Sequence, residues 1–191
     1  MLEIKCKLVG VSPILMNPMT ETTLEELRTK VRAKKPTDRP AKEEAAEKLY
    51  KNEKGEIGVP ALNLYSALME AGRDVKNGKK GISTIESSSL PSFLWIDQEF
   101  LPFAKDEQEW LTDIRRGVLQ KDKIAVCIVR PKFMKWSLNL TLQMDETICA
   151  ESVARDVFKI AGNKIGLCDF RPSCRGPFGR FKIETWEIEK A

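Results

Sequence analysis

Trp136-Ser137-Leu138-Asn139-Leu140-Thr141-Leu142-Gln143-Met144 alternates without a break, with five apolar side chains at the even positions and polar ones between them. A period of two puts the apolar set on one side of an extended chain, so the spacing predicts a strand with one face in the core and one in water. Downstream, Ala154, Val157, Phe158 and Ala161 recur at helical spacing and Gly162-Asn163 supplies a stop, which predicts an amphipathic helix. A last strand is expected over Phe181 to Ile188, with a bulge where its apolar phase switches near Thr185.

The N-terminal half supplies the other elements. Leu2, Ile4, Cys6 and Leu8 alternate with Glu3, Lys5 and Lys7, a strand over residues 2–9, and the loop from Gly10 to Pro18 carries an apolar patch at Ile14, Leu15 and Met16. Ile57 to Pro60 reads as a short extended piece before a helix capped by Asn63, with Tyr65, Leu68, Met69 and Gly72 on its core face. Arg73 to Gly81 is a flexible basic loop. Phe93 to Ile96 is a short buried strand, and Glu107 to Trp110 is a turn or brief helix. Ile124 to Val129 is another buried strand, ended by the basic interruption Arg130-Pro131-Lys132. The order strand, helix, strand, strand, helix, strand predicts an α+β fold of the ferredoxin-like (RRM-like) split βαβ kind, an antiparallel sheet with both helices on one face. One domain spans residues 1–191, with a charged helical insertion at about 20–55. There, Thr23-Leu24-Glu25-Glu26 is a capping box for a helix stopping before Pro36. A second helix runs from Pro40 to about Tyr50, with Glu44/Lys48 and Glu47/Lys51 at i,i+4 spacing. Both are charged nearly all round and are expected to stand off the core.

Composition narrows the chemistry. The 191 residues contain no histidine, so Ser-His and Cys-His nucleophiles and the commonest metal ligand are excluded together. Five cysteines, at 6, 127, 149, 168 and 174, form no Cys-x-x-Cys, which argues for reduced thiols over a disulfide framework or a zinc knuckle. No cofactor or metal site is expected. No run approaches the roughly 18 apolar residues of a membrane helix, and the start is not a signal peptide, so the expected setting is the cytoplasm, away from membranes. The net charge of +4 is unevenly placed: Ile114 to Trp136 carries seven Lys/Arg against Asp122 alone, and Asn163 to Lys182 carries five against Asp169 alone. Two basic segments on an otherwise acidic chain predict a basic surface suited to phosphates.

The densest candidate is Asp169-Phe170-Arg171-Pro172-Ser173-Cys174-Arg175-Gly176-Pro177-Phe178-Gly179-Arg180-Phe181. Prolines fix the backbone and glycines such as Gly179 allow close approach, so the stretch reads as a shaped loop. Arginines that fork onto phosphates, interleaved with rings that stack on bases, suit a single-stranded nucleic-acid groove; a tight turn with its phenylalanines tucked inward is the structural alternative. The predicted phosphate contacts are Arg73, Arg130, Lys132, Arg171, Arg175 and Arg180, with Phe178 or Trp136 stacking. The open sheet face offers Lys5, Lys7, Asn139 and Thr141 where RNA-recognition sheets carry aromatics, so loops and edges are expected to do the binding.

Three pieces resemble the RAMP superfamily of CRISPR-associated RNA-binding proteins, particularly the backbone subunits of effector complexes. They are Leu8-Val-Gly-Val-Ser-Pro-Ile-Leu15, the strand-to-helix stretch Ile57-Gly-Val-Pro-Ala-Leu-Asn-Leu-Tyr-Ser-Ala-Leu-Met-Glu-Ala-Gly-Arg73, and the glycine-rich loop Gly176-Pro-Phe-Gly-Arg-Phe181. Ala61 and Leu62 stand where the family carries Gly and Ser. The resemblance implies a non-catalytic binder of RNA or single-stranded DNA whose other partners are further copies or other effector subunits. A phage or mobile-element assembly protein, acting through protein contacts, is the alternative. A third reading, a metal-dependent ribonuclease, rests on Asp38, which otherwise caps the helix beginning at Pro40.

Overall fold

A computed structural model describes residues 1–31, 39–118 and 124–190. In chain order its elements are β1 (Leu2–Gly10), β2 (Ile14–Leu15), α1 (Glu21–Thr29), α2 (Ala41–Ala46), β3 (Gly58–Pro60), α3 (Ala61–Ala71), β4 (Lys76–Asn77), β5 (Lys80–Gly81), β6 (Leu94–Ile96), β7 (Phe100–Pro102), β8 (Leu111–Val118), β9 (Ala125–Phe133), β10 (Ser137–Met144), α4 (Glu151–Ile160) and β11 (Phe181–Lys190). The fold is α+β, and its strand pairs are antiparallel.

The main sheet has the order β11-β1-β10-β6. Pairing of β1 with β10 sets Leu2, Ile4, Cys6 and Leu8 opposite Met144, Leu142, Leu140 and Leu138, and all eight are buried. Leu64 and Leu68 of α3 and Ala154, Val157 and Phe158 of α4 join the same cluster, so both helices close the apolar face. Each such leucine or isoleucine contributes about 1.5–3 kcal/mol by leaving water. Gly10 sits where a Cβ would lie 2.3 Å from the Trp136 ring, so any larger residue there would displace that indole. The expected bulge is present: Lys7 pairs with Thr185 but Leu8 with Ile183, leaving Glu184 as the extra residue.

A second sheet, β2-β9-β8, sits beside the first. Arg130-Pro131-Lys132 does not interrupt its strand; β9 runs through all three to Phe133. The burial is the reverse of the expected one, since Ala125 and Ile124 are exposed while Val129 to Pro131 and Phe133 are covered. Strand β8, which the sequence does not signal by alternation, pairs with β9 along its whole length.

Several boundaries shift. The first insertion helix is capped by Thr20, whose hydroxyl accepts from Thr23 N, and ends at Lys30 in a left-handed turn; Pro36 lies outside the described residues. Helix α2 is shorter than expected. Glu44 pairs with Lys48 at 3.2 Å, but Glu47 pairs with Arg39 and not with Lys51. Ala45 is fully buried and Lys48 Nζ donates to Val129 O at 2.6 Å, so α2 packs on the second sheet while α1 buries nothing. Helix α3 starts directly after Pro60, two residues before Asn63, and buries Ala61, Leu64, Ala67, Leu68 and Ala71, with Tyr65 and Met69 at the margin. The 73–81 loop folds as the β4–β5 hairpin, the 107–110 turn is a 3₁₀ turn at Lys105–Glu107, and α4 continues past Gly162 as a π turn, Ala161–Ile165.

Candidate nucleic-acid interface

The connection between α4 and β11 is tied to the segment after β1. Asp169 N donates to Leu15 O at 2.9 Å, Gly179 N to Pro13 O at 2.8 Å, and Arg180 O accepts from Val11 N at 2.7 Å. Within it, Cys168, Phe170 and Arg175 hold positive φ of 60°, 49° and 64°. Each such residue costs about 1–2 kcal/mol and persists only where its surroundings fix it. Gly179, at φ +71°, is required by the loop itself: a Cβ there would lie 2.0 Å from Leu167 O, so its approach partner is protein backbone.

A buried arginine fixes the loop to the paired strands β8 and β9. Arg130 donates from one terminal nitrogen to Asp169 at 2.7 Å and from the other to Asp113 at 3.1 Å, and only 4% of it is exposed. Its role is thus structural, a correction to its expected place among the phosphate contacts; the strand places it inward, and taking it out of water requires both carboxylates. Trp136 is the second correction. It is 1% exposed, donates from Nε1 to Ser12 O, and packs against Phe103 and Phe181, so it presents no face for a base.

Phe178 is nearly buried, its ring 5.9 Å from Phe170 and covered by Arg115 at 4.8 Å and Lys132 at 6.0 Å. The rings therefore hold cations in place and do not stand free for stacking. Arg115, also paired with Asp113 at 2.9 Å, is the residue that the sequence reading missed; its one signal was the run of positive charge from Ile114. Arg175 and Arg180 are exposed on the two sides of Phe178 in the chain, and Lys132 is half-buried. Arg171, also half-buried, donates to Cys168 O at 3.1 Å and lies 3.9 Å from Glu70. Arg73 is exposed elsewhere, donating to Thr84 O, and no hydrogen bond joins it to the loop among the described residues. The structure thus brings Arg115 and Lys132 onto one ring, with Arg175 and Arg180 exposed three residues before it and two after it in the chain.

No protein-family model and no curated protein matches this sequence. Among solved structures, the chain is similar to a chain of the cryo-EM structure of the type III-B Cmr-beta bound to cognate target RNA, with a TM-score of 0.57 and 10% identity over 99% of this chain and 61% of that one. The likeness is one of fold. This chain spans about three-fifths of that neighbour's length.

The open face of the main sheet is not basic. Lys5 pairs with Glu189 and Lys7 with Glu184, each at 2.7 Å; these hydrogen bonds raise both lysine pKa values, and the carboxylates offset the lysines' charge on this face. Among the described residues, no group of three or more Asp, Glu or Cys side chains converges as a metal site, and Asp38 lies outside them. Burial pushes the Cys168 thiol up to about 12, so it is no thiolate nucleophile at neutral pH. No described helix is long and apolar enough to cross a membrane. What the arrangement offers is fixed positive charge on a braced loop.

Proposed function

We propose that this chain binds single-stranded nucleic acid, with RNA the foremost candidate, as a RAMP-like subunit with a ferredoxin-like main sheet. The observation that carries the reading is that Arg115 and Lys132, from strands far from the loop in sequence, lie over Phe178, on either side of which the loop exposes Arg175 and Arg180. The sheet order, in which the last strand flanks the first and α3 and α4 share one face, supports the ferredoxin-like reading, as does the likeness to a chain from an RNA-bound effector. Binding is carried by the loop and by strands β8 and β9, not by the main sheet, and proceeds without cleavage.

Replacing Arg175 and Arg180 together by Glu tests it. Both are exposed, so each change should cost within about 0.5 kcal/mol of stability, while affinity for a single-stranded RNA should be lost. A folded double variant that binds like the wild type would overturn the reading. Labelled RNA incubated with the wild type and Mg²⁺ or Mn²⁺ should stay intact; cleavage abolished by Asp38→Asn would instead establish the ribonuclease. A second reading attaches to the insertion alone. Helix α1 leaves Leu24 and Leu27 exposed, which favours a protein contact there, in an effector or in a phage-type assembly.

A further inference from the structure

A cavity of about 240 Å³ opens between α3 and the Gly166–Arg171 turn, next to the loop just described. It is smaller than the roughly 300–1,000 Å³ of pockets for drug-sized ligands, so it admits one ring-sized group and not a whole nucleotide. Its lining is mainly polar, including Asn17, Tyr50, Asn63, Ser66, Asp169 and Arg171. The two amides each carry a donor beside an acceptor, the arrangement that pairs with the edge of a base. Among the described residues, the protein partners of the Asn63 side chain are Cys168 Sγ, in a long contact at 4.0 Å, and the Tyr50 phenol. Asn17 and Ser66 make no side-chain hydrogen bond among the described residues. Asp169 is held from outside the cavity by Arg130, which keeps one wall fixed. Arg171 gives one N–H to Cys168 O, has its other terminal nitrogen 3.9 Å from Glu70, and retains further N–H groups for a phosphate.

We propose that this cavity takes a single unstacked nucleobase of the bound strand, read by Asn17 and Asn63, while Arg171 holds that nucleotide's phosphate. The inference rests on the nucleic-acid reading above and adds a base preference to it, at one position in an otherwise sequence-independent contact.

The test is fluorescence polarisation with RNA dodecamers of A, of U and of C, and with an abasic dodecamer. The wild type is compared with Asn17→Ala/Asn63→Ala and with Ser66→Phe, which fills the cavity from the exposed side of α3. The wild type should bind one homopolymer on the order of tenfold more tightly than the others and than the abasic strand. Both variants should remove that preference and keep the salt dependence. Equal affinity of the wild type for all four strands, or a preference surviving in both variants, overturns the proposal. If no dodecamer binds, the nucleic-acid reading fails, and the cavity is judged alone by NMR titration with nucleoside 5′-monophosphates. Shifts at the Asn17 and Asn63 side-chain amides then sustain it, and their absence overturns it.

Discussion

Arg130 and Arg175 are both arginines of the basic segments, yet substitution should separate them completely. Removing Arg130 leaves Asp113 with Arg115 alone and takes from Asp169, a third of which is exposed, the cation that ties it to β9, a loss below the ~3–5 kcal/mol of a fully buried broken pair. Arg130→Ala is therefore expected to lower the urea midpoint. An unchanged midpoint would mean that the brace is not needed. The cysteines divide in the same way. Burial pushes the Cys6 and Cys168 thiols up to about 12, whereas Cys127 and Cys174 are exposed. A disulfide reagent should label 127 and 174 in the native protein and reach 6 only on unfolding. In the unfolded chain a thiol loses its proton near 8.5, so between there and about 12 the unfolded state binds fewer protons than the native one. Stability should accordingly fall with rising pH across that window.

At the level of elements, the alternation at 136–144 fixes the sheet, and a test of register makes this concrete. Inserting one alanine between Leu140 and Thr141 turns Leu142 and Met144 to the open face and is expected to prevent folding. Deleting Glu184 removes only the bulge residue, keeps Ile183 and Trp186 on the inner side, and should leave the protein folded with its Phe158–Trp186 edge contact intact, as seen by near-ultraviolet circular dichroism. Where side chains alternate strictly or recur at helical spacing, the elements were legible: β1, β10, α4 and the bulge in β11. Strand β8 was not, because Ile114, Arg115 and Arg116 are all exposed, so no apolar period marks it. Trp136 and Arg130 misled for different reasons. Alternation already set Trp136 on the core side with Leu138 to Met144, and residue type alone gave its ring a stacking role; for Arg130, only the pairing of β9 with β8 decides which way it points.

For the molecule as a whole, the arrangement predicts binding dominated by released counterions. Four to six phosphate contacts give a log–log salt slope of about −3 to −4 on a single strand; a flat response would mean that the basic cluster is not the contact surface. The braced loop also has a bearing on the order in which the chain acquires its shape. The sheet forms from strand pairs that a hydrophobic pattern already specifies. The loop, by contrast, holds three non-glycine residues at positive φ that no local pattern sets, and its contact between positions 13 and 179 lies next to the pairing of Gly10 with Phe181, so it takes its shape only once β1 and β11 are paired. The basic cluster is thus the last part of the protein to mature, so a partly folded chain presents a complete sheet and a scattered set of arginines before it presents a binding surface.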